Sequence, residues 1–596
     1  MPLKKIKFLT FFLTFLGLIE FPLLSMADPP VIPPTTLPEL RPPSAAGQIL
    51  QDIDRGQLKR PSQSPRGTEP AEPGQANQEA KTIVIKRFKF VGNTLLSDDA
   101  LTLLLNSLLI EPISISELKN AVNLITESYR TRGYLVSVSI PEQDITEGVL
   151  TLKIIESKLG KVKIDGAYKK DFFRVNPSII KSFSETYLTQ DESINLNDLN
   201  RGLSNTNELP GIKVSSSLQA GDKEGFTDVI LNIKDKPVYR ATVSSDNSGS
   251  RSIGRNRYQV SADLLSPLHI GDDLNFLGLH TLGSDFGKLS YEVPLNNRGL
   301  RAAVSYSRLE YNVILDGFKK TPQGSSDTRG VNFSYSILNN TQSHLKAYAD
   351  YTSKNFLNQY GTQTTSEYDI NVNSFSVSGD HNDQFLFLGG VTSFNYSYLD
   401  GNVNLAATPV DARINDAETY QTAGEFKKFK WSLNRTQFIQ DTLLLNVLFT
   451  GQLANKNLDS SEKFYLGGMN GVRAYPTNEG GGSQGFMINT ELMKYLPYDF
   501  SVSGFVDYGR VMQNVDNHYH IPNWPAGLAI PKLAKDNFYS LSGYGASVAW
   551  QGPYRTNIKA TWAHRMGANP DPGKFGTDQD GTKIINTVWL NASISF

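Results

Sequence analysis

From Val238 onward, apolar and polar positions alternate with a period of two. In "LRAAVSYS" Leu300, Ala302, Val304 and Tyr306 share a face, and in "VNFSYSI" Val331, Phe333, Tyr335 and Ile337 do. The final "TVWLNASISF" sets Val588, Leu590, Ala592, Ile594 and Phe596 against Trp589, Asn591, Ser593 and Ser595. A strand with lipid on one side and a polar lumen on the other carries this pattern. A soluble β-sandwich also alternates. Counting back from Phe596, strands fall near 587–596, 555–564, 541–550, 500–510, 485–495, 443–454, 424–436 and 386–398. The remaining ones fall near 371–379, 343–352, 329–337, 299–309, 285–293, 272–280, 256–265 and 238–246. The total is sixteen, an even number as in single-chain bacterial barrels, which predicts a transmembrane β-barrel over 237–596. Short connections such as "QGPY" and "LPYD" alternate with long ones such as 511–540 and 565–586, so the short turns and both barrel ends belong on the periplasmic side.

Ahead of the barrel the period changes. "TIVIKRFKF" reads as a strand, Ser97-Asp98 opens a helix to about Leu109, and Ser116 opens a second with Leu118, Val122, Ile125 and Tyr129 on one face. Gly133 sits where a left-handed cap would end it, and strands "YLVSVSI" and "GVLTLKIIE" follow. The order then recurs: strand "KVKIDG", helices near 171–183 and 195–208, strands "IKVSSSL" and "TDVILNIK". Two tandem β-α-α-β-β units are therefore expected, over 82–157 and 158–236. Residues 28–81 are rich in proline and poor in aromatics, an extended segment and linker. Within it, 44–58 lacks proline and places Ala45, Ile49 and Ile53 on one thin stripe, a short helix that needs housing by something else. Lys4, Lys5 and Lys7, the apolar run Phe8–Ile19 and "SMA" at 25–27 form a secretory signal over 1–27, with Asp28 the expected mature start. A retained membrane anchor is the alternative.

Composition narrows the chemistry. With 58 basic and 59 acidic side chains, nothing points to nucleic acid. The absence of cysteine excludes disulfides, thiolate metal sites and cysteine nucleophiles. No G-x-x-x-x-G-K-[ST], G-x-S-x-G or H-E-x-x-H occurs, so no catalytic constellation, metal site or cofactor is expected. His518 and His520 in "NHYHIPNW" lack a third ligand in the sequence and read as solvated loop histidines.

One arginine stands out. "LGGMNGVRAYPTNEGGGSQG" places Arg473 in the long outer loop between the eleventh and twelfth strands. Alternation in "SVSGFVDYGR" sends Phe500, Val502, Val506 and Tyr508 outward, and Ser501, Ser503, Phe505 and Asp507 into the lumen. If the loop folds inward, Arg473 can meet Asp507, with Glu491 a second acceptor. The alternative is a solvated surface arginine.

"VRAY" (Val472, Arg473, Ala474, Tyr475) and "FVDYG" (with Phe505, Asp507 and Gly509) resemble the paired VRGY/F and FxDxG motifs of the Omp85–TpsB superfamily. "DNSGSRSIGRNR", "LLSPLHIGDDL" and "YEVPL" are similar to the early barrel of its two-partner secretion branch, of haemolysin-activator type, and "FVGNTLL" and "YRTRGYLVSVSIPEQ" to its first POTRA domain. The resemblance implies an outer-membrane pore with two periplasmic POTRA domains, which binds a large exoprotein of TpsA type and passes it to the cell surface. It further implies a lumenal plug at 44–58, contact with outer-membrane lipid, a monomer, and Phe596 as the signal read by the barrel assembly machinery. The nearest rival within the superfamily is an outer-membrane protein assembly factor. Ala474 departs from the family glycine; if that position requires φ > 0, alanine strains the turn.

Overall fold

A computed structural model describes residues 47, 48, 50, 51 and 53, and 82–596 apart from 110–111, 144, 146, 167–172, 316–319, 523, 526–527 and 574–575. The signal segment, the linker, Ala45 and Ile49 lie outside the described residues.

Sixteen strands form a closed barrel, each antiparallel to its neighbours. In chain order the first are β1 (Tyr239–Asp246), β2 (Arg257–Leu265), β3 (Asp273–Thr281) and β4 (Ser284–Pro294). Next come β5 (Leu300–Asn312), β6 (Pro322–Asn339), β7 (Ser343–Tyr360) and β8 (Gln363–Asp383). β9 (Gly390–Asn404), β10 (Gly424–Gln440), β11 (Leu443–Ala454) and β12 (Gln484–Tyr495) follow. β13 (Phe500–Met512), β14 (Phe538–Gly552), β15 (Thr556–Arg565) and β16 (Asn586–Ser595) complete the wall. β16 closes onto β1 from Asn591 opposite Asp246 to Ser595 opposite Thr242. The Phe596 N–H adds a bond of 2.8 Å to the Ala241 carbonyl. Closure leaves no open sheet edge, the condition for crossing lipid with strands.

The expected facing holds. Val304, Tyr306, Val331, Phe333, Val588, Leu590 and Phe596 are exposed, and Trp589 between two of them is buried. Phe394, Tyr396, Phe429, Trp431, Phe449, Phe486 and Tyr508 run across β9–β13 with successive ring centroids 5.4–6.2 Å apart, an aromatic band on the lipid side.

The largest departures from the alternation lie in β6–β9: β6 starts at Pro322 rather than near 329, and β7 runs to Tyr360 rather than to about 352. The strand expected at 371–379 spans Gln363–Asp383, because its polar outer half keeps pairing with β7 above the apolar band. The strand expected from 386 begins at Gly390. The apolar "FLFL" forms a turn instead, with Leu386 and Phe387 at φ 55° and 50°. Gln437 Nε2 fixes it by donating to the carbonyls of Leu386 and Gly389, each at 2.7 Å.

Each N-terminal unit carries a three-stranded sheet backed by two helices. In the first, Arg87–Val91 runs parallel to Val149–Glu156, which pairs antiparallel with Val136–Ser139. Helices Asp98–Leu105 and Ile115–Thr131 bury Leu101, Leu105, Leu118, Ile125 and Tyr129 against Leu150, Leu152 and Ile154. Gly133 ends the second helix at φ +88°, as its position predicts. "TIVIKRFKF" is not one strand: Thr82–Val84 leaves to pair with Pro112–Ser114. The second unit repeats the order with Lys158–Ile164, Phe226–Asp235 and Ile212–Ala220. Its first helix is Pro177–Glu185 rather than 171–183, since Asn176 accepts from Ser178 N–H and Pro177 occupies the first turn, where no N–H is needed. This unit touches the short connections of the barrel. Asn176 N–H donates to the His269 carbonyl (2.8 Å), and Glu208 meets Lys346 (3.0 Å) and Asn339 (2.7 Å).

Glu156 organises the first unit. Its carboxylate accepts from Thr94 N–H (2.8 Å), Leu95 N–H (2.9 Å) and Tyr129 Oη (2.8 Å). Burial pushes this carboxyl up, but these donors outweigh it and hold it below its ordinary value. A lowered folded pKa stabilises at neutral pH, and that contribution is lost as pH falls through the lowered value. Amide exchange at Thr94 and Leu95 in the full chain, taken relative to the intrinsic rate at each pH, is therefore expected to speed up sharply below the usual carboxylate range. Glu156→Gln should show the fast exchange already at neutral pH. Equal exchange in both proteins at pH 7 would deny Glu156 this role.

Candidate functional site

The loop joining β11 to β12 turns back into the barrel. Phe464–Tyr465 pairs with Gly481–Gly482 at its base, and Val472 N–H donates to the Leu466 carbonyl (2.8 Å) to tighten the tip. Leu466, Val472, Ala474 and Tyr475 are fully buried. Wall glycines clear the space they fill: a Cβ on Gly509 would lie 2.6 Å from Leu466 Cδ2, and one on Gly543 would lie 2.6 Å from Ala474 Cβ.

Arg473 is 5 % exposed and Asp507 0 %. The guanidinium forks onto the carboxylate, Nε to Oδ2 at 2.9 Å and Nη2 to Oδ1 at 2.8 Å, while the Arg473 N–H reaches Oδ2 at 3.1 Å. Nη1 donates to Glu491 Oε2 at 2.7 Å. Strand register explains why both carboxylates wait on one face: Asn489 stands opposite Asp507, and Glu491 opposite Phe505. Asn489 Nδ2 donates to Asp507 Oδ1 (2.8 Å), and Ser503 Oγ to Glu491 Oε1 (2.7 Å). The guanidinium also lies 3.4 Å from the centre of the Phe505 ring.

Sequence reasoning singled out Arg473, Asp507 and Glu491, and the structure brings all three together. It missed Lys559 on β15, 3.4 Å from Glu491 Oε1, which makes the network two cations against two carboxylates. It also missed the backbone clamps: Trp589 Nε1 donates to the Arg473 carbonyl (2.7 Å) and Thr587 Oγ1 to that of Ala474 (3.1 Å). Arg565 packs its guanidinium 4.3 Å from the Tyr475 ring centre. The alternation of "TVWLNASISF" put Trp589 on the lumenal face, the one available signal. The strain expected at Ala474 does not arise, since this residue is not among those at positive φ.

The described part of 44–58 is helical and lies in the lumen. Leu50 and Ile53 are buried in a cluster with Leu277, Phe286, Tyr368 and Ile370 of the wall. Ile53 was expected on the apolar stripe; Leu50, one turn back on that face, was not. His518 and His520 both approach Asp516 at 3.2 Å in the outer loop, but no cluster of metal-binding geometry occurs among the described residues.

A sixteen-strand barrel behind two small α+β units, with an arginine-pinned loop and a helix in its lumen, defines an outer-membrane transporter. Residues 225–530 match the family described as haemolysin secretion/activation protein ShlB/FhaC/HecB, and 83–157 match the POTRA domain of ShlB type. The chain belongs to this family of two-partner secretion pores. It is 25 % identical over 485 residues to the haem/hemopexin transporter protein HuxB of Haemophilus influenzae, covering 78 % of this chain and 83 % of that one. It is 23 % identical to the hemolysin transporter protein HpmB of Proteus mirabilis, covering 75 % and 78 %. Among solved structures, CdiB from Escherichia coli superposes with a TM-score of 0.64 at 18 % identity, covering 94 % of this chain and 99 % of that one. BamA from Haemophilus ducreyi, lacking POTRA domains 1–3, gives 0.51 at 13 %, covering 86 % and 100 %, a likeness of fold alone.

Proposed function

We propose that this pore recognises a TpsA-type exoprotein of haemolysin, adhesin or haem-binding type in the periplasm, and that the exoprotein crosses the lumen once the 44–58 helix has left it. Recognition falls to residues 82–236, where the outer strands Val136–Ser139 and Ile212–Ala220 each have one hydrogen-bonding edge to offer to an incoming strand. The observation that carries the reading is the Arg473–Asp507 fork inside a barrel whose wall is closed without it. An ion pair unneeded for closure serves the loop it holds. Secretion measured beside barrel abundance tests this.

The helix is the obstruction in this scheme. At about 1.5 Å per residue, 44–58 spans ~22 Å, close to the ~25 Å height of a barrel's apolar band. Deleting 44–58 is expected to raise single-channel conductance in planar bilayers while secretion largely persists. Unchanged conductance would place the helix outside the conducting path.

A further inference from the structure

Arg473 holds only the inner limb of the β11–β12 loop. The outgoing limb has its own anchor, elsewhere on the wall. Ser460–Glu462 forms one 3-10 turn, capped by Asp459, whose Oδ1 accepts from Ser461 N–H (2.9 Å) and Oγ (2.7 Å). Glu462, its side chain 4 % exposed, meets Lys354 of β7 at 2.9 Å and pairs with Lys428 of β10, itself 3 % exposed. The Glu462 carbonyl accepts from Lys428 Nζ (3.1 Å) and from Gln452 Nε2 (2.9 Å). β7 and β10 contribute no side chain to the Arg473 network described above.

This limb is what the lumenal helix rests on. Gln51 Nε2 donates to the Ser461 carbonyl, and Gln48 Nε2 to Tyr465 Oη at 3.0 Å. Tyr465 Oη in turn donates to the Ser460 carbonyl at 3.0 Å. A Cβ on Gly47 would lie 2.4 Å from Ser461 Cβ, so the helix approaches the turn at a distance only glycine permits. The turn carries no apolar side chain of its own to hold it to the wall. Two lysines converging on one buried carboxylate fix it there, and a pair of this kind is geometrically demanding and costly to break singly.

We propose that Glu462 is a positioning residue for transport: through Lys428 and Lys354 it fixes the seat on which the plug helix docks, independently of the arginine-held tip. This rests on the plug reading above and adds a specific latch to it. Without the Glu462 charge the turn keeps only the contacts of its carbonyl with Lys428 and Gln452, and the two lysines repel one another, so the helix's seat is loosened.

The test uses the full chain in planar bilayers, with heat-modifiable migration confirming an intact barrel. Glu462→Gln is expected to raise the fraction of time spent at the helix-free conductance by about tenfold, the factor that ~1.4 kcal/mol of lost docking gives. In a chain already lacking 44–58, the same substitution should add nothing, because the seat is empty. Lys354→Met, which keeps the Lys428 pair, should open the pore in the same direction by less, and it carries the test if Glu462→Gln does not insert. Wild-type conductance in an inserted Glu462→Gln chain would overturn the proposal, as would equal opening with and without the helix. Failure of the 44–58 deletion to change conductance would instead sink the plug reading itself, so the two failures are told apart.

Discussion

Arg473→Ala is expected to abolish export of the partner protein while leaving normal amounts of folded barrel in the outer membrane. Removing the guanidinium strands Asp507, fully buried, with Asn489 as its remaining side-chain donor. Stranding one member of a buried pair costs roughly 3–5 kcal/mol. That penalty falls on the loop, because the sixteen strands keep every ladder hydrogen bond and their closure does not pass through residue 473. The tip would leave the wall and Trp589 would lose the carbonyl it donates to. Asp507→Ala should reproduce the phenotype, and the double variant should be no worse than either single one, since both remove a shared interaction. Glu491→Ala should be milder, since the fork onto Asp507 survives it. Arg473→Lys should fall well below wild type, because an ammonium cannot span both Asp507 oxygens and Glu491 together. The measurement is partner protein in the culture supernatant beside heat-modifiable barrel in outer-membrane fractions. Full secretion by Arg473→Ala would make the fork dispensable.

The second large effect is expected from removing residues 82–236: binding of the partner's N-terminal domain should fall below detection while the barrel still inserts. A closed barrel offers no strand edge among its described residues, whereas each N-terminal sheet ends in strands paired on one side only. Ile212–Ala220 is the more accessible of the outer strands, with Ser216 partly buried and Ser217, Leu218, Gln219 and Ala220 exposed. Its outer edge can take up the main chain of an incoming strand whatever that strand's side chains, with specificity left to alternate side-chain positions. Proline at Leu218 should weaken binding by itself: Val214 N–H donates away from the ladder, to Asn207, and Gly221 N–H into it, to the Phe226 carbonyl, so the Leu218 N–H faces outward and proline removes the donor that pairing requires. Retention of full affinity by the isolated barrel would move recognition out of these units.

Much of this was legible in the chain because a barrel wall repeats one rule. Period-two alternation found the sixteen strands of the wall, and it put Asp507 and Trp589 on the lumenal side. It failed where a side chain from elsewhere overrides the local pattern. Phe385–Leu388 alternates poorly but is apolar enough to pass for a strand, and Arg435 and Gln437, far along the chain, hold it as a turn. The site was half legible. A loop arginine and a lumenal aspartate announce a pair, but Lys559 and Thr587 are ordinary strand residues whose role depends on where the tip lands. Glu462 gave no signal, since a glutamate in a polar "SSEK" stretch reads as solvated until the lysines of two distant strands are seen around it.

Ala474 and Gly543 carry a consequence for descent. Ala474 stands where the motif that this stretch resembles has glycine, and its methyl group fits only because the facing strand residue has no side chain: a Cβ at 543 would come within 2.6 Å of it. The two positions share one methyl-sized space. With alanine at 474, a side chain at 543 is excluded on this side as well as by the His564 carbonyl, 3.0 Å from a Cβ there, so Gly543→Ala should be selected against, whereas Ala474→Gly would only leave the space empty.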